Sequence, residues 1–266
     1  MKLNINWKKT FLITFDVVIA VYLVMAVTTW NKPSREGKVC QKVEINIADE
    51  NINGFLNSAE VKSLLEQRHL YPLSKSMADI EPRVIEQALR NMPFVKTAQC
   101  YATEDNHVCI TITQRTPILR VKSVTGEDYY IDDNGGVMPN SQYTSDMIIA
   151  TGNISKYYAC HYVYLLASQL MADDLWRNQI EQINLLPDKT VELVPRVGDH
   201  IVNIGTLPSA ANKEQREEAI EKYVSKQMHR LDLFYREGLK YAGWKKYDYI
   251  NLEYSNQIVC RRREAI

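Results

Sequence analysis

The side chains that could do chemistry are few and scattered along the 266 residues of the chain. No histidine belongs to a His-Glu-x-x-His metal motif, and the chain has neither a Gly-x-Ser-x-Gly nucleophile elbow nor a glycine-rich phosphate loop. The five histidines stand far apart, at His69, His107, His161, His200 and His229. The sequence therefore predicts no catalytic site, no metal site and no cofactor, and it predicts that the protein is not an enzyme.

One acidic cluster, Asp132-Asp133-Asn134 before Gly135, has the residue types of a calcium loop. Such a loop requires a bidentate glutamate at its twelfth position, and this position counted from Asp132 is Tyr143. Aspartate, asparagine and glycine together also favour a tight turn. The cluster therefore predicts a hairpin turn.

The cysteines are spaced too irregularly for a metal or redox motif. They are Cys40, Cys100, Cys109, Cys160 and Cys260. Cys100 and Cys109 flank a predicted hairpin, where they could face each other and form a disulfide in an exported protein. The alternative is that all five are free, mostly buried thiols.

The charge balance excludes one broad class of function. Lysine plus arginine equals aspartate plus glutamate at 32 each, and no basic patch is interleaved with aromatic residues, so nothing favours nucleic acid as a partner. The chain has 16 tyrosines against 5 phenylalanines. Tyrosine suits half-buried sheet surfaces, so this composition favours a fold rich in strands.

The first predicted structural element is the largely apolar segment Phe11–Trp30. Twenty helical residues span roughly 30 Å, so the segment predicts a single transmembrane helix at residues 11–30. Residues 1–10 are too short to fold and would form a cytoplasmic tail, with the rest of the chain exported. A cleaved secretory signal, for which Ala26–Trp30 is a poor cleavage site, and a buried core helix are the alternatives.

Asp16 is the one charged residue within the predicted span. Its carboxylate could reach the membrane interface, or it could contact a second helix inside the membrane. The sequence leaves both interpretations open.

A linker at residues 31–41 leads to a predicted α+β unit. Val43, Ile45 and Ile47 alternate with polar residues, as in a half-buried strand. A helix capped by Asn57 and a helix near 80–91 follow, because apolar residues there recur at helical spacing. Two strands, Phe94–Tyr101 and Val108–Thr113, complete the order strand, helix, helix, strand, strand.

The rest of the chain predicts short strands broken by turns, with two helices. The helices lie near 156–171 and over Lys213–Leu239, where apolar residues form a stripe at helical spacing. Strands are predicted near 180–186, 191–196 and 200–206. The segments Tyr249–Glu253 and Gln257–Arg261 read as one bent strand or as two.

Several segments, taken in order, resemble the bacterial cell-division family FtsQ/DivIB. In that family a cytoplasmic tail, a single membrane span, a polypeptide-transport-associated (POTRA) domain and a β-domain follow one another, so the resemblance covers the whole chain. The similar segments are Val84–Leu89, Pro93–Ala98, Ile110–Thr113, Gln114–Pro117, Tyr130–Asp132 with Gly136-Val137, Ala150–Gly152, Trp176–Ile183, and Trp244 with Tyr254. The ending Asn256–Cys260 is similar to that of members from Bacteroidetes-type bacteria.

The resemblance implies an α+β fold in three parts: a single N-terminal transmembrane helix, a POTRA-like β-α-α-β-β domain at 42–117, and a mixed β-domain with one or two packed helices at 118–266. It also implies a non-enzymatic scaffold of the divisome that acts during septum formation. The scaffold would lie in the cell inner membrane as a single-pass protein, with its N-terminus in the cytoplasm and its bulk in the periplasm. It would bind neither nucleic acid nor a small-molecule substrate.

The resemblance further implies FtsB- and FtsL-like division proteins as partners, besides other divisome components. In the family, the last strand of the β-domain takes in a strand of the partner by β-augmentation. The matching positions here are Glu253, Tyr254, Asn256, Gln257, Ile258 and Val259. Without the family, this segment reads as an ordinary closing strand that is paired internally.

Two further features bear on this predicted interface. Leu233, Phe234 and Glu237 of the long helix could border the same groove, although core packing explains the apolar two equally well. Glu253 stands where many relatives carry a basic residue, and the basic ending Arg261–Arg263 could compensate for that change.

Two other functions remain open at this point. A POTRA-type module for outer-membrane protein assembly or secretion usually carries POTRA repeats or a barrel, and this chain has one copy and no barrel-length alternation. A membrane-anchored periplasmic hydrolase is disfavoured by the missing nucleophile and metal motifs.

Overall fold

The structure, a computed structural model, describes residues 7–26, 37–48, 54–141 and 147–264. Its first helix, α1 (Trp7–Met25), has 19 residues and carries the charges of Lys8, Lys9 and Asp16. These charges interrupt its apolar stretch, and no helix among the described residues is long and apolar enough to cross a membrane. The prediction of a transmembrane helix over 11–30 is therefore wrong. The predicted single-pass location in the inner membrane, with a cytoplasmic N-terminus and a periplasmic body, is wrong with it.

Two parts of the N-terminal prediction are not tested. Residues 27–36, which include the end of the predicted span and half of the predicted linker, lie outside the described residues. Asp16 is exposed on α1, and its contact inside a membrane stays a prediction.

The chain divides into two compact units, and each unit combines three segments that are separated in the sequence. The smaller unit comprises Met1–Asn46, Ser58–Ala88 and Ala98–Thr111, and the larger one comprises Ile47–Asn57, Leu89–Thr97 and Ile112–Ile266.

A three-stranded sheet and two helices follow α1 in the predicted order of strand, helix, helix, strand, strand. The elements are β1 (Lys42–Ile47), α2 (Ser58–Gln67), α3 (Pro82–Arg90), β2 (Val95–Ala102) and β3 (His107–Gln114). The strand order in the sheet is β1-β3-β2. Along β3, Val108, Ile110 and Ile112 are fully buried and alternate with half-buried residues. The period-two pattern thus places one face of this strand in the core, as the sequence predicts.

All five cysteines are free. Cys100 lies on the buried face of β2, and burial raises the pKa of its thiol to about 12. Cys109 lies on the other face of the neighbouring β3, where its Sγ is 3.9 Å from Glu44 Oε2. The two side chains point to opposite faces, so the sheet does not bring them together as the disulfide alternative requires.

A nine-stranded mixed sheet forms the body of the larger unit. Its order is β12-β11-β10-β9-β8-β7-β4-β5-β6. Three pairs, β4–β7, β7–β8 and β10–β11, are parallel, and the other five are antiparallel. The strands are β4 (Pro117–Ser123), β5 (Asp128–Asp132), β6 (Val137–Pro139), β7 (Ile148–Gly152), β8 (Ile180–Leu185), β9 (Thr190–Pro195), β10 (Ile201–Thr206), β11 (Tyr247–Asn251) and β12 (Val259–Arg262).

Three helical segments pack on this sheet. The segment α4 runs as Lys156–Tyr158, a π-helical turn at Ala159–Val163, and Tyr164–Ala172. A short helix, α5 (Asp174–Gln179), begins at Asp173, whose carboxylate accepts from the N–H groups of Leu175 and Trp176. The long helix α6 (Lys213–Leu233) continues through a π-helical stretch, Phe234–Leu239, and ends at Lys240–Ala242. The segments α4 and α6 correspond to the two predicted helices, and α5 is an additional helix.

The core of the larger unit lies between one face of the nine-stranded sheet and these helices. Fully buried residues of the strands pack against fully buried residues of α4 and α6. Examples are Leu193, Val202 and Ile250 from the sheet, and Val163, Leu166, Ile220 and Leu231 from the helices. The acidic cluster at Asp132 forms the predicted hairpin turn between β5 and β6, with the Gly135 N–H donating to the Asp132 carbonyl.

Candidate functional site

The candidate site is the outer edge of β12, the last strand of the nine-stranded sheet. β12 pairs with β11 in antiparallel register, with Asn251 opposite Val259 and Ile250 opposite Cys260. No other strand among the described residues pairs with β12, so its second edge presents free backbone N–H and C=O groups. The opposite end of the sheet, β6, has three residues and ends in Pro139, which makes it a poorer template.

The backbone N–H groups of β12 point alternately toward β11 and toward the open edge. The N–H of Arg263, directly after the strand, donates to the carbonyl of Lys246 at 3.0 Å and so points toward β11. Because hydrogen-bonding direction alternates along a strand, the N–H groups of Arg261 and Val259 also point toward β11. The N–H groups of Arg262 and Cys260 therefore point to the open edge.

The side chains of β12 divide between the two faces of the sheet. Cys260 and the preceding Ile258 are half-buried and pack against the core. Val259 is 46% exposed on the other face. Arg261 shares that face, with its Nε 2.8 Å from Asp248 Oδ1. An added strand would thus meet an apolar row on one face and a mixed row on the other.

Only one of the six predicted partner-binding residues lies in the strand. That residue is Val259, since β12 begins there. The other five lie in the loop that joins β11 to β12: Glu253, Tyr254, Asn256, Gln257 and Ile258. We call residues 252–258 the β11–β12 loop. The two-strand interpretation of the C-terminal segment is confirmed, but the predicted partner-binding segment is mostly a loop.

The structure brings the predicted groove residues together with part of the predicted edge. Leu233, Phe234 and Glu237 of the α6 continuation face Asn256, Gln257 and Ile258 across a groove of about 500 Å³. Leu233 is 48% exposed, and Phe234 packs 6.5 Å from the ring of Tyr247. We call this space the edge groove, because its lining includes Ile258, the residue directly before β12.

Arg230 is the residue of this site that the sequence analysis missed. Its guanidinium donates from Nη1 to the carbonyl of Leu252 at 2.6 Å, and from Nη2 to the carbonyls of Tyr254 and Gln257 at 2.6 and 2.9 Å. The sequence gives no signal for these contacts, because an exposed-looking arginine in an amphipathic helix is ordinary and its partners are backbone atoms.

Two family models match the chain. The model described as FtsQ/DivIB, C-terminal related, matches residues 116–261, and a POTRA-like domain model matches residues 38–113. The first match alone spans more than half of the chain. The chain belongs to the FtsQ/DivIB, C-terminal related family. No curated protein matches it.

The resemblance to FtsQ/DivIB is confirmed by these matches, and the two domains indicate a cell-division scaffold of a family that is not enzymatic. The family match ends at Arg261, so it includes most of β12 and the whole β11–β12 loop. The Bacteroidetes type stays a prediction.

A buried histidine of this FtsQ/DivIB-type domain lies behind the end of β12. His200 Nε2 is 2.7 Å from the hydroxyl of Tyr235, and the ion pair between Arg263 Nη1 and Asp199 Oδ2 is 3.6 Å long. Burial, reinforced by the charge of Arg263, lowers the pKa of His200, while Asp199 acts in the opposite sense. The folded domain therefore favours the neutral imidazole.

We expect stability to fall as the solution is acidified below pH 6.5, the ordinary pKa of histidine. Between the lowered folded pKa and 6.5, the unfolded chain binds a proton at His200 that the folded chain does not, so this stabilisation is complete above 6.5 and is lost as pH falls. The limiting slope is about 1.4 kcal/mol per pH unit for one proton. Urea unfolding of the wild type and of His200→Gln between pH 5 and 8 measures the contribution of His200 to the pH dependence of the free energy of unfolding. Parallel profiles would contradict the assignment.

Proposed function

We propose that this FtsQ/DivIB-type protein is a non-enzymatic scaffold of the bacterial divisome that recruits FtsB- and FtsL-like partners during septum formation. The partner adds a strand to the open edge of β12. The observation that carries the proposal is this edge, which is terminal in a nine-stranded sheet and unpaired among the described residues. A strand added there gains main-chain hydrogen bonds for affinity, while alternate side chains select the sequence.

The surroundings of the edge support the same proposal. The edge groove beside β12 is lined by Leu233, Phe234 and Ile258, which are partly or largely exposed. Glu237 at its rim offers a carboxylate. An extended segment that pairs with β12 could therefore place an apolar side chain in the groove, which would give an anchor of the kind that dominates binding energy. The POTRA-like domain is proposed at 42–117 and the β-domain at 118–266.

The charges of β12 bear on the choice of partner. Arg261 pairs with Asp248, and Arg263 pairs with Asp199. Arg262 is exposed and has no carboxylate within ion-pair distance among the described residues. We propose that Arg262 favours an acidic residue in the added strand and thereby compensates for Glu253 in the loop.

The proposal predicts that Cys260→Pro strongly weakens partner binding while the domain stays folded. Proline removes the N–H of residue 260, which points to the open edge, and leaves the bonds to β11 in place. The partner carbonyl opposite would then be buried without a donor, at a cost of about 1–3 kcal/mol, or tenfold to hundredfold in affinity. The measurement is co-purification of the full chain with the FtsB/FtsL-like pair of the same bacterium.

The matched control is Cys260→Ala, which removes the same side chain but keeps the N–H. In cells depleted of the wild-type protein, Cys260→Ala should restore division and Cys260→Pro should leave filaments. Equal binding by both variants would remove the edge-strand proposal. Loss of outer-membrane proteins without filamentation on depletion would instead favour the secretion module.

A further inference from the structure

We propose that Arg230 is a positioning residue for the partner-binding edge: it holds the β11–β12 loop in its binding shape from the adjacent helix. This inference rests on the proposed function of β12. Arg230 lines the edge groove but was not among the predicted groove residues.

The hydrogen bonds of Arg230 carry the inference. Its guanidinium binds the carbonyls of Leu252, Tyr254 and Gln257, and Nη1 also donates to Gln227 Oε1 at 2.8 Å. Two of the three carbonyls belong to the predicted partner-binding residues Tyr254 and Gln257, and the third belongs to Leu252, directly before Glu253. One planar group therefore sets the direction of the backbone along most of the loop.

The guanidinium is itself held in place by the buried core. Gln227 is 3% exposed, and its Nε2 donates to the carbonyl of Ile204 in β10 at 3.3 Å. The Oε1 atom of Gln227 accepts from Arg230, so a continuous chain of hydrogen bonds runs from β10 through Gln227 and Arg230 to the loop. Hydrogen bonds from a charged donor are stronger than neutral ones, which favours a fixed loop over a mobile one.

This arrangement matters for binding because ordering a loop costs conformational entropy. Each backbone residue that must be fixed on association lowers the affinity. A loop already fixed by Arg230 avoids part of that cost, and the partner meets a preformed edge. The four N–H groups on Nη1 and Nη2 of Arg230 are committed to their four acceptors, so its main role is to support the loop.

The substitution Arg230→Ala should free the loop without unfolding the domain. In hydrogen exchange on the full chain, the amides of residues 253–260 should exchange at least tenfold faster, while the core strands β8–β10 keep their protection. Affinity for the FtsB/FtsL-like pair should fall about tenfold. Arg230→Lys keeps the charge but lacks the planar fork, so it should restore only part of both losses.

The matched control is Arg236→Ala, which removes an arginine of the same helix that pairs with Asp232 and contacts no loop carbonyl. It should leave both readouts unchanged. Unchanged exchange in the loop, or faster exchange throughout the sheet with a matching loss of thermal stability, would overturn the positioning role. Normal affinity of Arg230→Ala beside lost affinity of Cys260→Pro would overturn this inference alone, whereas unaltered binding by Cys260→Pro would overturn the edge proposal.

Discussion

Replacing Asp132 by alanine is expected to lower the free energy of unfolding by about 3–5 kcal/mol. The Asp132 side chain is 5% exposed, and its Oδ2 accepts a hydrogen bond of 2.7 Å from Arg115 Nε. Its Oδ1 accepts from the backbone N–H groups of Asn134 and Gly136 at 3.0 and 2.6 Å. Alanine would leave the largely buried guanidinium without a counter-charge and two N–H groups without their acceptor. Removing one partner of such a pair costs more than the pair itself contributes, because the remaining charge stays desolvated.

The same cluster joins segments that are distant in sequence. Arg115 Nη1 donates to the carbonyls of Pro93 and Val137 at 2.8 and 3.1 Å. A side chain at Gly136 would place its Cβ 2.4 Å from Arg115 Nη2, so it would displace the guanidinium from this cluster. The loss of Asp132 should therefore disturb the entry to β4, the β5–β6 turn and the segment at Pro93 together.

Urea unfolding of the full chain measures this loss. The control is Glu217→Ala, because the ion pair of Glu217 with Lys213 is 3.7 Å long and its carboxylate side chain is 42% exposed. Exposed pairs of this kind contribute little, so the control should unfold close to the wild type. A similar small change in Asp132→Ala would show that the Arg115 pair is not a buried anchor.

This cluster shows what the family resemblance detected in the sequence. Arg115, Asp132 and Gly136 belong to separate segments that resemble the family, and in the structure they contact one another. None of them lies at β12. The residues of this cluster stabilise the fold, whereas Tyr254 and Asn256–Cys260 are the part of the resemblance that lies at the site.

The spacing of apolar residues predicts most strands and helices, because it reflects which side chains are buried. β3 alternates as its sequence indicates, and α6 buries Ile220, Val224, Met228 and Leu231 on one face. The apolar run at residues 11–30 also indicates a helix, but the described helix starts earlier and includes Lys8 and Lys9. The sequence pattern therefore predicts the helix but not the residue at which it begins.

The candidate site could be predicted only in part, because an edge is a property of the whole sheet. Nothing local to Val259–Arg262 distinguishes a terminal strand from an inner one; its position follows from the order of eight other strands. The β11–β12 loop likewise occupies most of the predicted partner-binding segment, and Arg230, more than twenty residues upstream, binds its carbonyls. Such contacts to backbone atoms leave no trace in residue types.

The second large effect is expected at Gly152, where alanine should lower the free energy of unfolding by at least about 3 kcal/mol. Gly152 has a φ of +100°, a conformation that strains any residue with a Cβ. It also ends β7 in parallel register with Leu185 of β8, and a Cβ would lie 2.2 Å from the Leu185 carbonyl oxygen. Relief requires the two central strands to separate, because the obstructing atom belongs to the backbone.

The matched control for this prediction is Gly126→Ala. Gly126 has a φ of +87°, yet a Cβ there would meet no atom within 4 Å. That variant carries the conformational strain alone, about 1–2 kcal/mol, so the difference between the two variants measures the collision with β8. Urea unfolding of both full-length variants decides the point: equal losses would mean that β7 and β8 can part at Gly152 without cost. A markedly larger loss at Gly152 would show that the close approach of these strands holds the centre of the nine-stranded sheet, on which the register of β12 and its free edge depend.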